Sequence, residues 1–580
     1  MSKLSIDQKT IRELLSSKKS EFLIPDYQRP YAWDKEKECR TLWDDIFSFA
    51  FPDNNYEKFN DNEEYFLGAI VTFKNENGKL EVIDGQQRIT TLMLLLRAFY
   101  ARLDKMKDQT TLKLKDAIGC CLWNSDFLGN LQQDKLKIAS EVATDDDKGE
   151  LLYILQQGST KSDMKSRYAD NYRFFQQLID EFVNDYPAFF NYMPARILDN
   201  CILLPIEADS QDTALRIFST LNNRGKPLSD ADVFKAEFYK FYSRLGQKDE
   251  FVSRWQNLDV LANSVFSPLR GTPMDELFTR YMYYERAKKG IRNSTTEALR
   301  SFYMSDNYAL LKTDTTLSNL ELVAEFWRDV KTQSIERFSI RILKLLFILN
   351  AAPNNMWTNF VTVYFLQNRD NNNMLEDERF YTFLKKTIAL VWTYAIVNPS
   401  VTALRYPMYA GMADMVSGQD VDFTKYRISQ EKINGALATF DFTNVKQITK
   451  SILTLWAMKD PEQELLSINC DYDIEHIYAR GRNDKEHSLS DSKLVETLGN
   501  KVLLEKRINI RASDYRFEDK KRYYLGYTDK RGNEKAGTKV RELKNLCSMH
   551  NDFGEEDIKQ RTQAILDYFC TFIQNNGLTM

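Results

Sequence analysis

Two short stretches of this sequence hold residue types that could do chemistry together. The first is Asp84-Gly85-Gln86-Gln87-Arg88, set between the apolar pair Val82-Ile83 and a long apolar run beginning at Ile89. Gly85 admits a backbone geometry that other residues resist, and a helix starting just after it would offer free N–H groups to an anion. Arg88 can grip phosphate oxygens bidentately. Asp84 can hold a metal ion or a ribose hydroxyl, and Gln86 and Gln87 can read a base edge or order water. Together they suit a nucleotide phosphate; the same five residues would also make a solvated turn with Arg88 in a surface ion pair. The second stretch is "YDIEHIYAR", which holds His476, one of three histidines in the chain. Hydrolysing a phosphodiester needs a base for water, stabilisation of charge on the phosphate and leaving oxygen, and cations that hold the backbone. His476 is the candidate base. Glu475 and Asn509 offer oxygen ligands of the kind Mg²⁺ prefers, and Lys520, Lys521 and Arg522 offer phosphate contacts. A lone histidine on an apolar run also serves as plain structure.

Each stretch has company elsewhere in the chain. "IPDYQRPYAW" sets Gln28 and Arg29 between aromatics on a proline-stiffened segment, and "STLNNRGKPLSDAD" gathers Asn222, Asn223, Arg224, Gly225 and Lys226 in one loop before a helix. The whole chain has a net charge of −4, which does not mark a nucleic-acid binder. Residues 501–544, however, carry fourteen Lys and Arg against seven Asp and Glu, with Tyr515, Phe517, Tyr523 and Tyr524 interleaved. The average conceals a local basic surface.

The elements that must position these residues are legible in outline. "EYFLGAIVTF" and "KLEVIDG" read as strands joined by the turn "KNENGK", with helical period from Thr90 onward. Residues 100–200 read as mostly helical, "NCILLPIEA" as a further strand, and Ser229 or Asp230 as the cap of a following helix. Residues 240–440 carry long amphipathic helical patterns and read as a helical spacer between two functional ends. "CDYDIEHIY" and "LGNKVLLEKRIN" read as short strands around a loop, and the chain closes on a helix. At 580 residues, 43% hydrophobic and 13% aromatic, the chain has material for more than one packed core. Seven scattered cysteines without paired spacing fit neither a disulfide framework nor a zinc site. No secretory h-region and no apolar stretch of the ~20 residues a membrane span needs is visible, so a cytoplasmic protein is expected.

The ordered trio "IPDYQRPYAW", "YFLGAIV…EVIDGQQRITTL" and "FSTLNNRGKPLSDADVFKA" resembles the DGQQR-type N-terminal domain of GmrSD-like type IV restriction endonucleases. "YDIEHIYAR" with "LGNKVLLEKRINIRASDYRFEDKKRYY" resembles the HNH (His-Me finger) nuclease domain that ends such proteins. The resemblance implies an α+β multidomain fold: a ParB/sulfiredoxin-like α+β domain over 1–240, a helical middle region over 241–440 and a ββα-metal (HNH) nuclease domain over 441–580. It implies nucleotide contacts from Asp84, Gly85, Gln86, Gln87, Arg88, Tyr27, Gln28, Arg29, Asn222 and Arg224. It implies His476 as general base, Asn500 as the brace of the base's loop, Lys520 at the catalytic site, and Glu475 and Asn509 as ligands of Mg²⁺ or Mn²⁺. Ala479 stands where the family pattern has proline. The implied activity is a nucleotide-regulated endonuclease cutting modified, foreign double-stranded DNA, with GTP, ATP or UTP as the nucleoside triphosphate, no membrane partner, and self-association left open. Similar proteins act on glucosylated hydroxymethylcytosine, other modified bases or backbone phosphorothioate. The alternatives are a nucleotide-switched DNA-binding regulator with a degenerate nuclease, and an RNA-directed HNH nuclease. No Walker-type phosphate loop is present.

Overall fold

The computed structural model describes residues 5–6, 8–18, 20–26, 28–142, 145, 147–210, 213–214, 229–293 and 295–580. The expected nucleotide contacts Tyr27, Asn222 and Arg224, with Asn223, Gly225 and Lys226, lie outside them. The fold is mixed α+β and divides into two compact units, Met1–Gln256 and Asn257–Met580, where the sequence suggested three segments.

The first unit is built on a mixed sheet. Its strands are β1 (Ser5–Ile6), β2 (Lys9–Thr10), β3 (Phe22–Ile24), β4 (Tyr65–Lys74), β5 (Leu80–Asp84), β8 (Ile138–Ser140) and β9 (Cys201–Ala208), with β6 (Trp123–Ser125) and β7 (Leu131–Leu136) forming a separate hairpin. The order is β1-β9-β4-β5-β3-β8, and β2 also pairs with β9. β4 runs parallel to β9 and antiparallel to β5, while β3 runs parallel to both β5 and β8. The β4–β5 turn closes because the Asn75 side chain accepts from Asn77 N (3.1 Å) and Lys79 N (3.0 Å). Period-two alternation sends Ile70 and Val82 into a large helical core and Val71, Ile83 and Ile206 into a smaller cluster on the other face. The large core is dominated by the helix Gln86–Leu103, whose run Leu92–Leu96 is wholly buried. Each such side chain contributes roughly 1.5–3 kcal/mol of apolar burial. Helical geometry begins at Gln86, four residues earlier than the apolar period suggests, so the polar turn and the helix share one junction.

In the second unit the helices Pro273–Lys288, Asp314–Lys331, Ile340–Asn350, Met356–Asn368, Asp377–Val397 and Val401–Val416 pack among themselves. They also pack onto the C-terminal part. β10 (Tyr472–His476) and β11 (Lys501–Glu505) pair antiparallel, Glu475 opposite Val502 and His476 opposite Lys501. The helix Gln447–Ala457 packs on β11, and the short helix Lys506–Ala512 packs against both strands. Phe347 and Tyr472 meet edge to face at 5.7 Å, and Gln333 bonds both Leu466 O and Ile468 N. The middle helices are therefore part of the body that carries His476. A further hairpin, β12 (Gly526–Thr528) with β13 (Glu534–Ala536), follows the helix Phe517–Leu525.

Candidate functional site

The first site forms where β5 hands over to its helix. Gly85 is the N-cap at φ 88°, a left-handed conformation that favours glycine, and a Cβ there would lie 3.0 Å from Ala69 O. Asp84 accepts from Gly85 N at 2.7 Å. Burial pushes the Asp84 carboxyl above its usual range, opposed by Gly85 N–H, Arg88 and Arg29; burial pushes Arg88 down, opposed by Asp84. Arg88 donates to Ala69 O at 2.9 Å, and its guanidinium lies over Gly68, where a Cβ would stand 2.7 Å from Cζ. The glycine in "YFLGAIV" thus makes room for the arginine; an isolated glycine in a strand pattern is the signal that could have flagged it.

The "QRPYAW" segment wraps the same junction. The Gln28 amide donates to Val82 O (3.3 Å) and Ile83 O (3.0 Å). Gln87 accepts from Ala32 N at 2.7 Å and donates to Pro30 O at 3.1 Å. Tyr31 bonds Thr91 at 2.6 Å, and Asn171 donates to Tyr31 and to Trp33 O. Gln28 and Gln87 therefore bind the two motifs to each other through backbone groups, a role the sequence reading did not assign them. Among the described residues no further hydrogen bond holds Arg29 or the rest of the Arg88 fork near the helix N-terminus, and Gln86 there is buried. Lys235, on the helix Asp230–Arg244 capped by Ser229, reaches Gln28 O at 3.4 Å and joins the cluster unforeseen.

The second site is assembled from β10, β11 and what braces them. Beyond β10 the chain bends at Tyr478, whose N–H donates to Asn500 Oδ1 (2.7 Å) and whose carbonyl accepts from Asn500 Nδ2 (2.9 Å). Asn500 is fully buried and also donates to Val495 O. The Leu498–Asn500 turn is held in turn by Arg561, which donates to the carbonyls of Leu498, Gly499 and Lys501. Gly499 lies against the last helix, its N–H on Thr562 Oγ1 at 3.0 Å, where no Cβ fits. Ala479 is buried and sits at φ −67°, an angle proline itself takes.

His476 Nε2 stands 3.4 Å and 3.5 Å from the two carboxylate oxygens of Glu496. Burial drives the His476 ring down to about 4; Glu496 pulls it up, while Arg480 and Lys501 push it further down. Burial works to raise Glu496, but the hydrogen bond and charge of Lys501, then His476 and Arg480, bring it to about 2. Lys501, wholly buried, donates to Glu496 (2.7 Å) and Phe442 O (2.6 Å), and Arg480 donates to Glu496 at 2.7 Å.

Glu475 faces the other way. Its Oε1 accepts from Lys520 Nζ (2.7 Å) and Tyr524 Oη (2.6 Å), and Lys520 also donates to His476 O (2.7 Å). Glu475 is 5% exposed and Lys520 1%. The phosphate contact expected of Lys520 gives way to this buried ion pair; Tyr524 belongs to the same group. Glu475, one of the two expected ligands of Mg²⁺, is engaged by the Lys520 ammonium, and no hydrogen bond joins it to Asn509 among the described residues. In the basic segment, Lys501, Arg516, Lys520, Lys535 and Arg541 sit in ion pairs. Lys506, Arg507, Lys521, Lys530 and Arg531 have no acidic partner among the described residues and stay available to phosphates. No helix among the described residues is long and apolar enough to cross a membrane.

Two family models match the chain. The GmrSD restriction endonuclease N-terminal domain matches residues 11–239, and the GmrSD restriction endonucleases C-terminal domain matches residues 427–568. No curated protein matches it.

Proposed function

The chain belongs to the GmrSD restriction endonuclease family, and from that premise we propose that it is a nucleotide-regulated endonuclease that cuts modified, foreign DNA in bacterial defence. The observation that carries the reading is the arrangement at the end of β10. A half-buried imidazole meets a carboxylate on one nitrogen, its loop is fixed by Asn500, and cations without acidic partners among the described residues lie in the segment that follows. In this reading His476 takes the proton from a water that attacks phosphorus, the P–O bond to the leaving oxygen breaks, and lysine and arginine side chains hold the phosphates. Loss of such a base costs ~10²–10⁴ in rate. A divalent ion, Mg²⁺ or Mn²⁺, would supply Lewis-acid stabilisation of the phosphate, with Glu475 and Asn509 as its proposed ligands, and no step here is routed through it.

The turn Asp84–Arg88 is proposed as the seat of a nucleoside triphosphate, its phosphates on the free N–H groups of the helix Gln86–Leu103 with Arg88 and Arg29 beside them. The test is to incubate the protein with Mg²⁺, each of GTP, ATP and UTP, and matched modified and unmodified phage DNA. Cleavage of the modified DNA alone, dependent on one nucleotide and lost in His476→Ala, is expected. Full cleavage by purified His476→Ala overturns the assignment. Adding EDTA to the same assay tests the divalent-ion requirement, and single-stranded RNA as substrate tests the RNA-directed alternative.

A further inference from the structure

We propose that Glu496 is the positioning residue of the nuclease site: it fixes the tautomer and orientation of His476 so that Nδ1 is the nitrogen that takes the proton. This rests on the reading of His476 as the base. The argument starts from hydrogen-bond chemistry. An ionised carboxylate only accepts. Glu496 is held ionised by Lys501 at 2.7 Å and Arg480 at 2.7 Å. Nε2 of His476 lies 3.4 Å and 3.5 Å from the two oxygens of this acceptor-only carboxylate, which assigns the ring's proton to Nε2. Nδ1 is then the acceptor.

The orienting group is itself fixed. Lys501 lies directly opposite His476 in the β10–β11 register, and its buried ammonium is tied to Phe442 O as well as to Glu496. Arg480 opens the helix that follows the histidine's loop. Glu496 ends a short helical turn, Ser492–Glu496, just before the Leu498–Asn500 turn that Arg561 clamps. A carboxylate fixed from two sides fixes the ring, and the order nucleophile-activating base then orienting acid follows the general logic of catalytic triads. Glu475, next to His476 in sequence, does not compete for the ring, because Lys520 and Tyr524 engage it.

The first measurement needs no variant. In the full chain labelled with ¹⁵N-histidine, the His476 signal, identified among three by its loss in His476→Ala, should show the Nε2–H tautomer; an Nδ1–H tautomer overturns the proposal. The second is single-turnover cleavage of the DNA that wild type cuts. Glu496→Gln leaves Lys501 buried without an acid, so the double variant Glu496→Gln/Lys501→Gln, which keeps a neutral hydrogen-bonded pair, is run beside it. Both should fold, bind DNA within about twofold of wild type, and cut about 10–10²-fold more slowly, with Glu496→Asp recovering part of the loss. Wild-type cutting by the double variant overturns the proposal while leaving His476 in place. Wild-type cutting by His476→Ala overturns the reading beneath it.

Discussion

At the scale of single residues, burial is what makes His476 usable. A ring brought to about 4 by desolvation, with Glu496 on one side and Arg480 and Lys501 near it, stays neutral where an ordinary histidine is protonated. The acid limb of cleavage should therefore fall near pH 4 rather than near 6.5, read from single-turnover rates between pH 4 and 8. The same depression has a stability consequence with a definite sign. The folded value lies below the unfolded one, so the contribution is present above about 6.5 and is lost as pH falls toward 4. A rate profile that breaks at 6.5 would show the ring to be solvated. In the other unit, Gly68 carries a comparable burden. Its φ is +128° and Arg88 lies where a Cβ would stand. Gly68→Ala should displace the guanidinium and lower nucleoside-triphosphate hydrolysis by about 10²-fold, the usual cost of a misplacement near 1 Å. Unchanged turnover would separate Arg88 from the phosphates.

At the scale of elements, the site was readable where the chemistry is local and unreadable where it depends on which way a side chain turns. His476 stands out as one of three histidines on a strand-like run, and Asn500 through the L-G-N pattern of the resemblance; the pairing of β10 with β11 brings them together. Glu496 gave no signal, since it lies in a short non-periodic turn and its partners come from elsewhere. Lys520-Lys521-Arg522 reads as one solvated charge run, yet the pitch of the helix Phe517–Leu525 turns Lys520 inward onto Glu475. β8 escaped notice because it is three residues long and is defined by its pairing with β3. Two stability predictions follow the inward turn of Lys520 and the backbone of Ala479. Glu475→Gln should cost ~3–5 kcal/mol in denaturant unfolding by stranding a buried ammonium, and Glu475→Met/Lys520→Met far less; a near-neutral single variant would mean the pair is wet. Ala479→Pro should be tolerated and add ~0.4–1 kcal/mol, because the native φ of −67° already suits proline. A loss in that variant would mean that the Ala479 N–H is used.

At the scale of the whole molecule, the contacts made by the middle helices decide what can be separated from what. A fragment starting near residue 441 would leave behind Ala351, whose carbonyl accepts from Gln447 (3.2 Å) and from Ser451 (2.5 Å). It would also lose Gln333 at Leu466 and Ile468, Lys344 at Pro461 O (3.2 Å), and Phe347 against Tyr472. At the far end, Arg427 donates to Gly577 O and Ile428 bridges to Thr579. Those losses expose the apolar side of the helix Gln447–Ala457, which is buried along most of its length and packs on β11. An exposed stripe of that kind promotes association of the freed fragment. Residues 257–580 keep every one of these contacts. Expressed separately, 257–580 should therefore give a single cooperative unfolding transition and hold the β10–β11 pair, whereas 441–580 should aggregate or unfold without cooperativity. Circular dichroism melts and size-exclusion profiles of the two fragments check this. A well-folded monomeric 441–580 with wild-type DNA cleavage would show that the middle helices are the spacer the sequence suggested, and that the nuclease part holds its histidine without them.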